Sequence, residues 1–330
     1  MQITNNSKKQ LDFKKIKNHF SEDAMRLGII ASFILFMPFI SPYFFQVRNF
    51  MNILQNISLQ GITAIGMTMV IITGGIDISV GGILALSVWI AALLMKLGCP
   101  WILAIIICLC IAATCGVVNA FAIGIMKIPP MIATLAMMYM TRGLQTVVSR
   151  GSTLNGLPEG FQFIGQGMIF GVIPMPAVLI VVLFIIMSWF MKRTIMGRNI
   201  YAVGGNPEAS RLAGINNNKI IFFVYIMSGV FAAIAGLIFI SRMDSAPSAI
   251  ANMIEMKAIM AAVIGGTSVT RGGKGKIMGT FLGVIIVGLI NNALDLLGVS
   301  AYYQQFIQGA LVLMVVFLEA IRVKREFNKH

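Results

Sequence analysis

Apolar residues fall in ten long stretches separated by short polar interruptions: 27–45, 53–73, 78–95, 101–126, 129–149, 169–191, 220–240, 255–270, 277–297 and 304–321. A helix crossing a bilayer needs about 20 mostly apolar residues. The pattern therefore predicts an all-α, polytopic membrane helical bundle of about ten transmembrane helices. The eighth stretch is short and is interrupted by Gly265-Gly266, and Gly74-Gly75 punctuates the junction of the second and third. Paired glycines either let helices pack closely or break a helix. A break at membrane depth is tolerated only where protein or a cavity covers the backbone.

One polar island stands out, Lys192 to Lys219, between the sixth and seventh stretches. Inside it Asn206 is a good N-cap, Pro207 suits the first helical position and Gly214 suits the left-handed position after the last turn. The caps enclose a helix roughly 10 Å long. So short a helix is marginal in water, so it packs on its own protein or docks into a partner.

Composition agrees with the pattern. Of 330 residues 58% are hydrophobic and 11% charged, and the mean hydropathy is +0.89; soluble domains carry roughly 25% charged residues. The net charge of +14 does not indicate nucleic acid, because the basic residues lie in tails and loops between apolar stretches. With ten spans and a cytoplasmic N-terminus, the tail, the loops at 74–77, 127–128, 192–219 and 271–276, and the C-terminus lie inside. These hold 19 of the 25 Lys and Arg, against four outside (Arg48, Lys96, Arg150, Arg242). The positive-inside rule thus supports a multi-pass protein with both termini cytoplasmic. The division is a tail at 1–26, one transmembrane domain at 27–321 and a tail at 322–330. The apolar run from Leu27 lacks a small-residue cleavage site, which predicts a retained first span.

Candidate chemistry is sparse. Cys108, Cys110 and Cys115 read as ordinary buried residues and Cys99 as a loop residue. Both histidines, His19 and His330, sit in the tails. Neither a metal site nor a catalytic group is predicted. The stretch Thr73-Gly74-Gly75-Ile76-Asp77-Ile78-Ser79-Val80-Gly81-Gly82 joins the second and third spans, and Asp77 is the only acid between Asp23 and Glu159. Asp77 or Ser79 caps the third span, where the helix dipole favours an anion, or else takes part in gating or substrate passage. A third stretch runs from Glu255 through Gly265-Gly266-Thr267-Ser268 to Arg271-Gly272-Gly273-Lys274-Gly275-Lys276. Its end imitates a phosphate loop and fails: Ile277 follows Lys276, and no glycine lies five residues before Gly275. Any ATP chemistry must come from a partner.

Taken together, these stretches resemble the permease subunit of bacterial ATP-binding-cassette (ABC) importers for monosaccharides, the ribose-type permease family. Thr73–Gly81 is similar to its TGGIDLSVG signature, with Ile78 for Leu. Ile128–Leu135 with Arg142-Gly143-Leu144 resembles PPFIATL…RGL, and Gly197–Ile215 resembles the cytoplasmic coupling loop. Glu208-Ala209-Ser210 with Gly214 fits the EAA-x3-G pattern, Ser standing for the third Ala. Ala261–Ser268 resembles AAVVLGGTS. Two departures are Lys257, where the family often has an acid, and Pro247–Met253, altered from PTAGxGY.

The resemblance implies an inner-membrane permease translocating a ribose-like or related sugar. It implies a cytoplasmic ABC ATPase carrying ATP and magnesium, an extracytoplasmic sugar-binding protein and a second permease copy, in a homo- or heterodimer surrounded by membrane lipid. No cofactor is bound by this chain. Asn206, Pro207, Glu208, Ala209, Ser210, Arg211, Leu212 and Gly214 are the candidate ATPase-coupling residues. A neutral sugar needs hydroxyl and amide partners, and Thr73, Asp77, Ser79, Thr134, Asn291 and Asn292 are the candidates along its path or gate. A furanose-like signalling molecule or a nucleoside is the alternative cargo. An ATP-independent secondary transporter is a further reading, against which the scarcity of membrane charges argues.

Overall fold

The centre of the molecule is α2 (Val47–Ile72), whose sequence from Ile53 onward reads ILQNISLQGITAIGMTMVII and is buried almost without interruption from Ile57 to Ile72. A helix apolar all round belongs in the interior. Three of its hydroxyls are satisfied within the helix: Ser58, Thr63 and Thr68 each donate to the carbonyl four residues back, at 2.7, 3.0 and 2.6 Å. In a bilayer no water is available to do this instead.

A computed structural model describes residues 23–327; the tails beyond them, including His19 and His330, lie outside the described residues. A helix occupies each of the ten apolar stretches. They are α1 (Asp23–Ile40), α2, α3 (Val80–Lys96), α4 (Trp101–Ala120) with a π-helical turn at Phe121–Ile125, α5 (Pro130–Ser149), α7 (Met175–Arg193), α10 (Asn217–Met243), α11 (Ile254–Ile264), α12 (Ile277–Leu296) and α13 (Ala301–Phe327). Seven are long and apolar enough to cross a membrane. The other three are α3 and α11, which are short, and α5, which carries Thr134, Thr141, Arg142, Gln145 and Thr146. Three short helices add to these: α6 (Glu159–Gln166), α8 (Ile195–Gly205) and α9 (Pro207–Leu212). Two-stranded pairings are confined to loops, β1 (Leu154–Asn155) with β4 (Ser245–Ala246), and β2 (Met168–Ile169) with β3 (Ile173–Pro174). The last pair displaces the start of the sixth span from 169 to 175.

Helices meet backbone to backbone. A Cβ on Gly116 of α4 would lie 2.6 Å from Tyr225 O of α10, and one on Gly265 2.6 Å from Gly279 O of α12. Close approach through small residues replaces the hydrophobic drive that lipid removes. Both glycine pairs also end helices. Gly74 N–H donates to Ile71 O (2.9 Å) and Gly75 N–H to Val70 O (3.1 Å). At the second break Gly266 N–H donates to Val263 O (2.8 Å) and Thr267 N–H to Ala262 O (2.9 Å). This is the Schellman pattern, and it requires the left-handed residue supplied by Gly74 (φ 84°) and Gly266 (φ 85°). Packing and breakage, open alternatives in the sequence, thus coexist.

The loops read as lying inside converge on one end. Lys127 Nζ reaches Asn218 Oδ1 (3.2 Å), Arg26 Nε donates to Ile264 O (2.9 Å), and Lys276 lies 3.8 Å from Asp23. Arg26 itself is buried. At the opposite end Lys96 donates to Gly156 O (3.2 Å) and Arg242 to Asn56 Oδ1 (3.0 Å). Cys108 is buried, but Cys110 is exposed on α4 and Cys115 half-buried, because α4 turns only one face inward.

Candidate functional site: a docking helix and a broken span

At the island end the chain leaves α7, turns at Thr194, whose Oγ1 accepts from Gly197 N–H (3.0 Å), and forms α8, a helix the sequence reading passed over. Its signal was the apolar spacing of Ile200 and Val203, both buried. The Tyr201 hydroxyl donates to Gly275 O at 3.0 Å, and burial pushes the phenol up from its ordinary value.

One residue further on, α9 begins with the caps its sequence predicted. Asn206 Oδ1 accepts from Glu208 N–H and Ala209 N–H, both at 3.0 Å, and Pro207 takes the first helical position. Gly214 follows the last turn at φ 81°. Glu208 and Arg211 form an ion pair at 2.5 Å with both side chains about two-thirds exposed (67% and 66%). At such exposure the pair adds little stability, so both charges remain available to a partner. Leu212 is 77% exposed, unusual for a leucine outside lipid. Ser210 is different. It is buried, with Oγ 2.8 Å from both Pro207 O and Asn217 Oδ1, while Asn217 Nδ2 donates to Pro207 O at 2.7 Å. Ser210 therefore fastens α9 to the first turn of α10, and Glu208, Arg211 and Leu212 make up the outward face.

The second element is the break between α2 and α3. Asp77 is fully buried, and its carboxylate is ringed by donors. Oδ1 accepts from Ser79 N–H (3.0 Å) and Ser79 Oγ (2.5 Å), and Oδ2 accepts from Ser228 Oγ of α10 (2.7 Å). Ser79 Oγ in turn accepts from Asn119 Nδ2 of α4 (2.8 Å), immediately before the π-helical turn. Asp77 thus holds the entry to α3 and joins three helices. Thr134 Oγ1 donates to Pro130 O of its own helix (2.8 Å) and lies 3.3 Å from Ile76 O, which sets α5 against the same loop. Thr73 turns back on its own helix, Oγ1 to Val70 O (2.7 Å), and acts as a helix terminator. Ser228 and Asn119 were not singled out in the sequence, since nothing local to a span marks a lone polar residue as the partner of Asp77 or of Ser79 so far along the chain.

Asn291 and Asn292 do not join this cluster. Asn292 and Asn49 exchange two side-chain hydrogen bonds (2.6 and 3.1 Å), and Asn49 also donates to Phe44 O (3.0 Å). Asn291 Oδ1 accepts from Gln308 of α13 (3.0 Å). These amides clasp α12 to its neighbours near its C-terminal end. Arg142 donates to Ile250 O (2.6 Å) and Ala251 O (3.0 Å), bracing a loop in which Ala251 (φ 55°) and Met253 (φ 61°) are left-handed without being glycine. Buried Glu255 and Arg142 both border Gly81. Among the described residues no group of three or more His, Cys, Asp or Glu could hold a metal ion.

The site thus consists of a broken span and a capped helix outside a glycine-packed bundle. The family described as "Branched-chain amino acid transport system / permease component" matches residues 49–316. The chain belongs to this permease family. It is 40% identical to the ribose import permease protein RbsC of Bacillus subtilis (strain 168), over 94% of this chain and 97% of that protein. To the ribose import permease protein RbsC of Escherichia coli (strain K12) it is 41% identical, over 85% and 88%. To the fructose import permease protein FrcC of Rhizobium meliloti it is 33% identical, over 91% and 86%. No solved structure matches the chain. The chain is a multi-pass membrane protein and a transport subunit.

Proposed function

We propose that the chain is the membrane-spanning permease subunit of an ABC importer that carries a ribose-like monosaccharide across the bacterial inner membrane, driven by ATP hydrolysis in partner subunits. The observation that carries this reading is 40% identity to a ribose import permease over almost the full length of both chains. The family description mentions branched-chain amino acids, but the relatives named above are ribose and fructose import permeases.

In this reading the island end is cytoplasmic, which the clustering of basic loops there supports. α9 seats in a groove of the ATPase and presents Glu208, Arg211 and Leu212. ATP and magnesium stay on the ATPase, which closes and moves α9. An extracytoplasmic binding protein delivers the sugar to the opposite end, and a second permease, identical or related, completes the pathway. The break at Gly74–Ser79 is the gate, with Asp77 holding it in register rather than touching sugar.

The test is gentle purification from native membranes followed by uptake of labelled ribose and fructose into proteoliposomes. An ATPase should accompany the chain, and uptake should need ATP on the ATPase side. Glu208→Lys and Gly214→Val should insert normally yet lose sugar-stimulated hydrolysis. Uptake without any ATPase would overturn the reading in favour of a secondary transporter.

A further inference from the structure

Three backbone segments meet without side chains between the docking helix and the broken span. Gly273 N–H donates to Ile72 O, the last carbonyl of α2, at 2.7 Å. A Cβ on Gly204 would strike Ile72 O and lie 2.6 Å from Gly273 N, and one on Gly273 would lie 2.7 Å from both Gly205 Cα and Gly205 N. A Cβ on Gly272 would strike Gly204 O. Tyr201 adds its hydrogen bond to Gly275 O. The end of α8, the 272–275 loop and the end of α2 are therefore in direct main-chain contact.

Each segment leads somewhere. Gly205 is one residue from Asn206, the cap of α9. Ile72 is one residue from the helix terminator Thr73 and five from Asp77. The loop is held from the far side by Ser268 Oγ donating to Glu319 of α13 (2.6 Å). A second connection runs from α9 through Ser210 and Asn217 into α10, and so to Ser228, the donor to Asp77 Oδ2. The first route ends five residues before Asp77 and the second on its carboxylate.

We propose that Gly204, Gly272 and Gly273 form a mechanical joint that passes movement of α8 and α9 to the end of α2, and so to the break at Gly74–Ser79. Main-chain contact suits the task because it has no rotamers in which displacement could be absorbed. The joint works with the α10 connection: α2 is pushed at Ile72 while α10 is drawn at Asn217, and Asp77 experiences the difference. These glycines are positioning residues and touch neither sugar nor ATP. The inference rests on the importer reading, with α9 seated on an ATPase.

The experiment uses the full permease with its ATPase and binding protein in proteoliposomes, comparing wild type with Gly204→Ala and Tyr201→Phe. Three quantities are read: ATPase retained on purification, ATP hydrolysis rate, and labelled ribose transported per ATP hydrolysed. The joint predicts retention and hydrolysis near wild type, with ribose per ATP down roughly fivefold or more for Gly204→Ala, within the usual span of coupling energies. Tyr201→Phe, which only removes one hydroxyl, should show a smaller fall in the same ratio. Simple misfolding would lower hydrolysis and transport together and leave their ratio intact. If both variants insert, hydrolyse and transport at the wild-type ratio, the joint is refuted while the importer reading stands. If Gly204→Ala fails to insert, an unchanged ratio in Tyr201→Phe refutes it. If the wild type retains no ATPase, the importer reading fails, and the joint with it.

Discussion

Ser228, partway along α10, donates its hydroxyl to Asp77 Oδ2 at 2.7 Å, bridging 151 positions of sequence to a carboxylate with no exposed surface. A hydrogen bond to a charged group is worth about 1.5–3 kcal/mol, and more is lost when the acceptor is left buried and short of a donor. Ser228→Ala should therefore lower the thermal stability of the detergent-solubilised permease. Asp77→Asn should also cost stability, but the double variant should cost less than the sum, with a coupling of about 0.5–3 kcal/mol. Additive effects in the cycle would show that the two side chains act independently.

The reciprocal amides of Asn49 and Asn292 make the opposite case, a pair whose loss can be compensated. Asn292→Leu alone leaves Asn49 buried with one partner fewer, at a cost of about 1–3 kcal/mol. Asn49→Leu with Asn292→Leu removes both amides together, leaves only the Phe44 carbonyl short of a donor, and should recover part of that loss. Because the pair clasps helices and lies apart from the Asp77 break, ribose uptake per correctly inserted molecule should be unchanged in the double variant. A changed KM for uptake would return Asn292 to the substrate path.

The ten helices were legible because membrane helices announce themselves by length and apolarity, and the caps of α9 because Asn206, Pro207 and Gly214 act locally. Asp77 was legible as important but not in its role. A lone acid beside a glycine pair fits a cap, a gate or a ligand, and its donors, Ser79 and Ser228, are visible only in the fold. The partners of Asn291 and Asn292 were hidden for the same reason, since amides inside a span say that a hydrogen bond exists but not with what. The glycine contacts at Gly204 and Gly273 were invisible. Close approach depends on what lies opposite, which a linear pattern does not record, and α8 was missed because its apolar face is only two or three residues wide.

Asn206 should act through the integrity of α9. Replacing a good N-cap by Ala costs typically about 1 kcal/mol, a large fraction of what holds a six-residue helix in shape. Asn206→Ala should weaken ATPase binding about fivefold, as about 1 kcal/mol of affinity requires. Asn206→Asp keeps the acceptor and should bind close to wild type. Titration of the ATPase against permease in nanodiscs measures both. Equal weakening by Ala and Asp would mean that the asparagine side chain contacts the ATPase directly.

Glycines along α4 separate packing from mere abundance of small residues. At Gly116 a Cβ would press on the α10 backbone, 2.6 Å from Tyr225 O and 2.7 Å from Ile226 Cα, and backbone cannot rotate away. Eight residues on, a Cβ at Gly124 would meet nothing nearer than a side-chain carbon of Ile221 at 3.6 Å, an ordinary contact. Gly116→Ala should then force α4 and α10 apart, costing about 1–3 kcal/mol as overpacking does, and this should appear as reduced yield of monodisperse permease. Gly124→Ala should be tolerated or mildly stabilising, since it trades a poor helix former for the best one. Gly116 lies in α4 and Gly124 in the π-helical turn that continues it, and equal yields would show that α4 and α10 do not pack at the distance described.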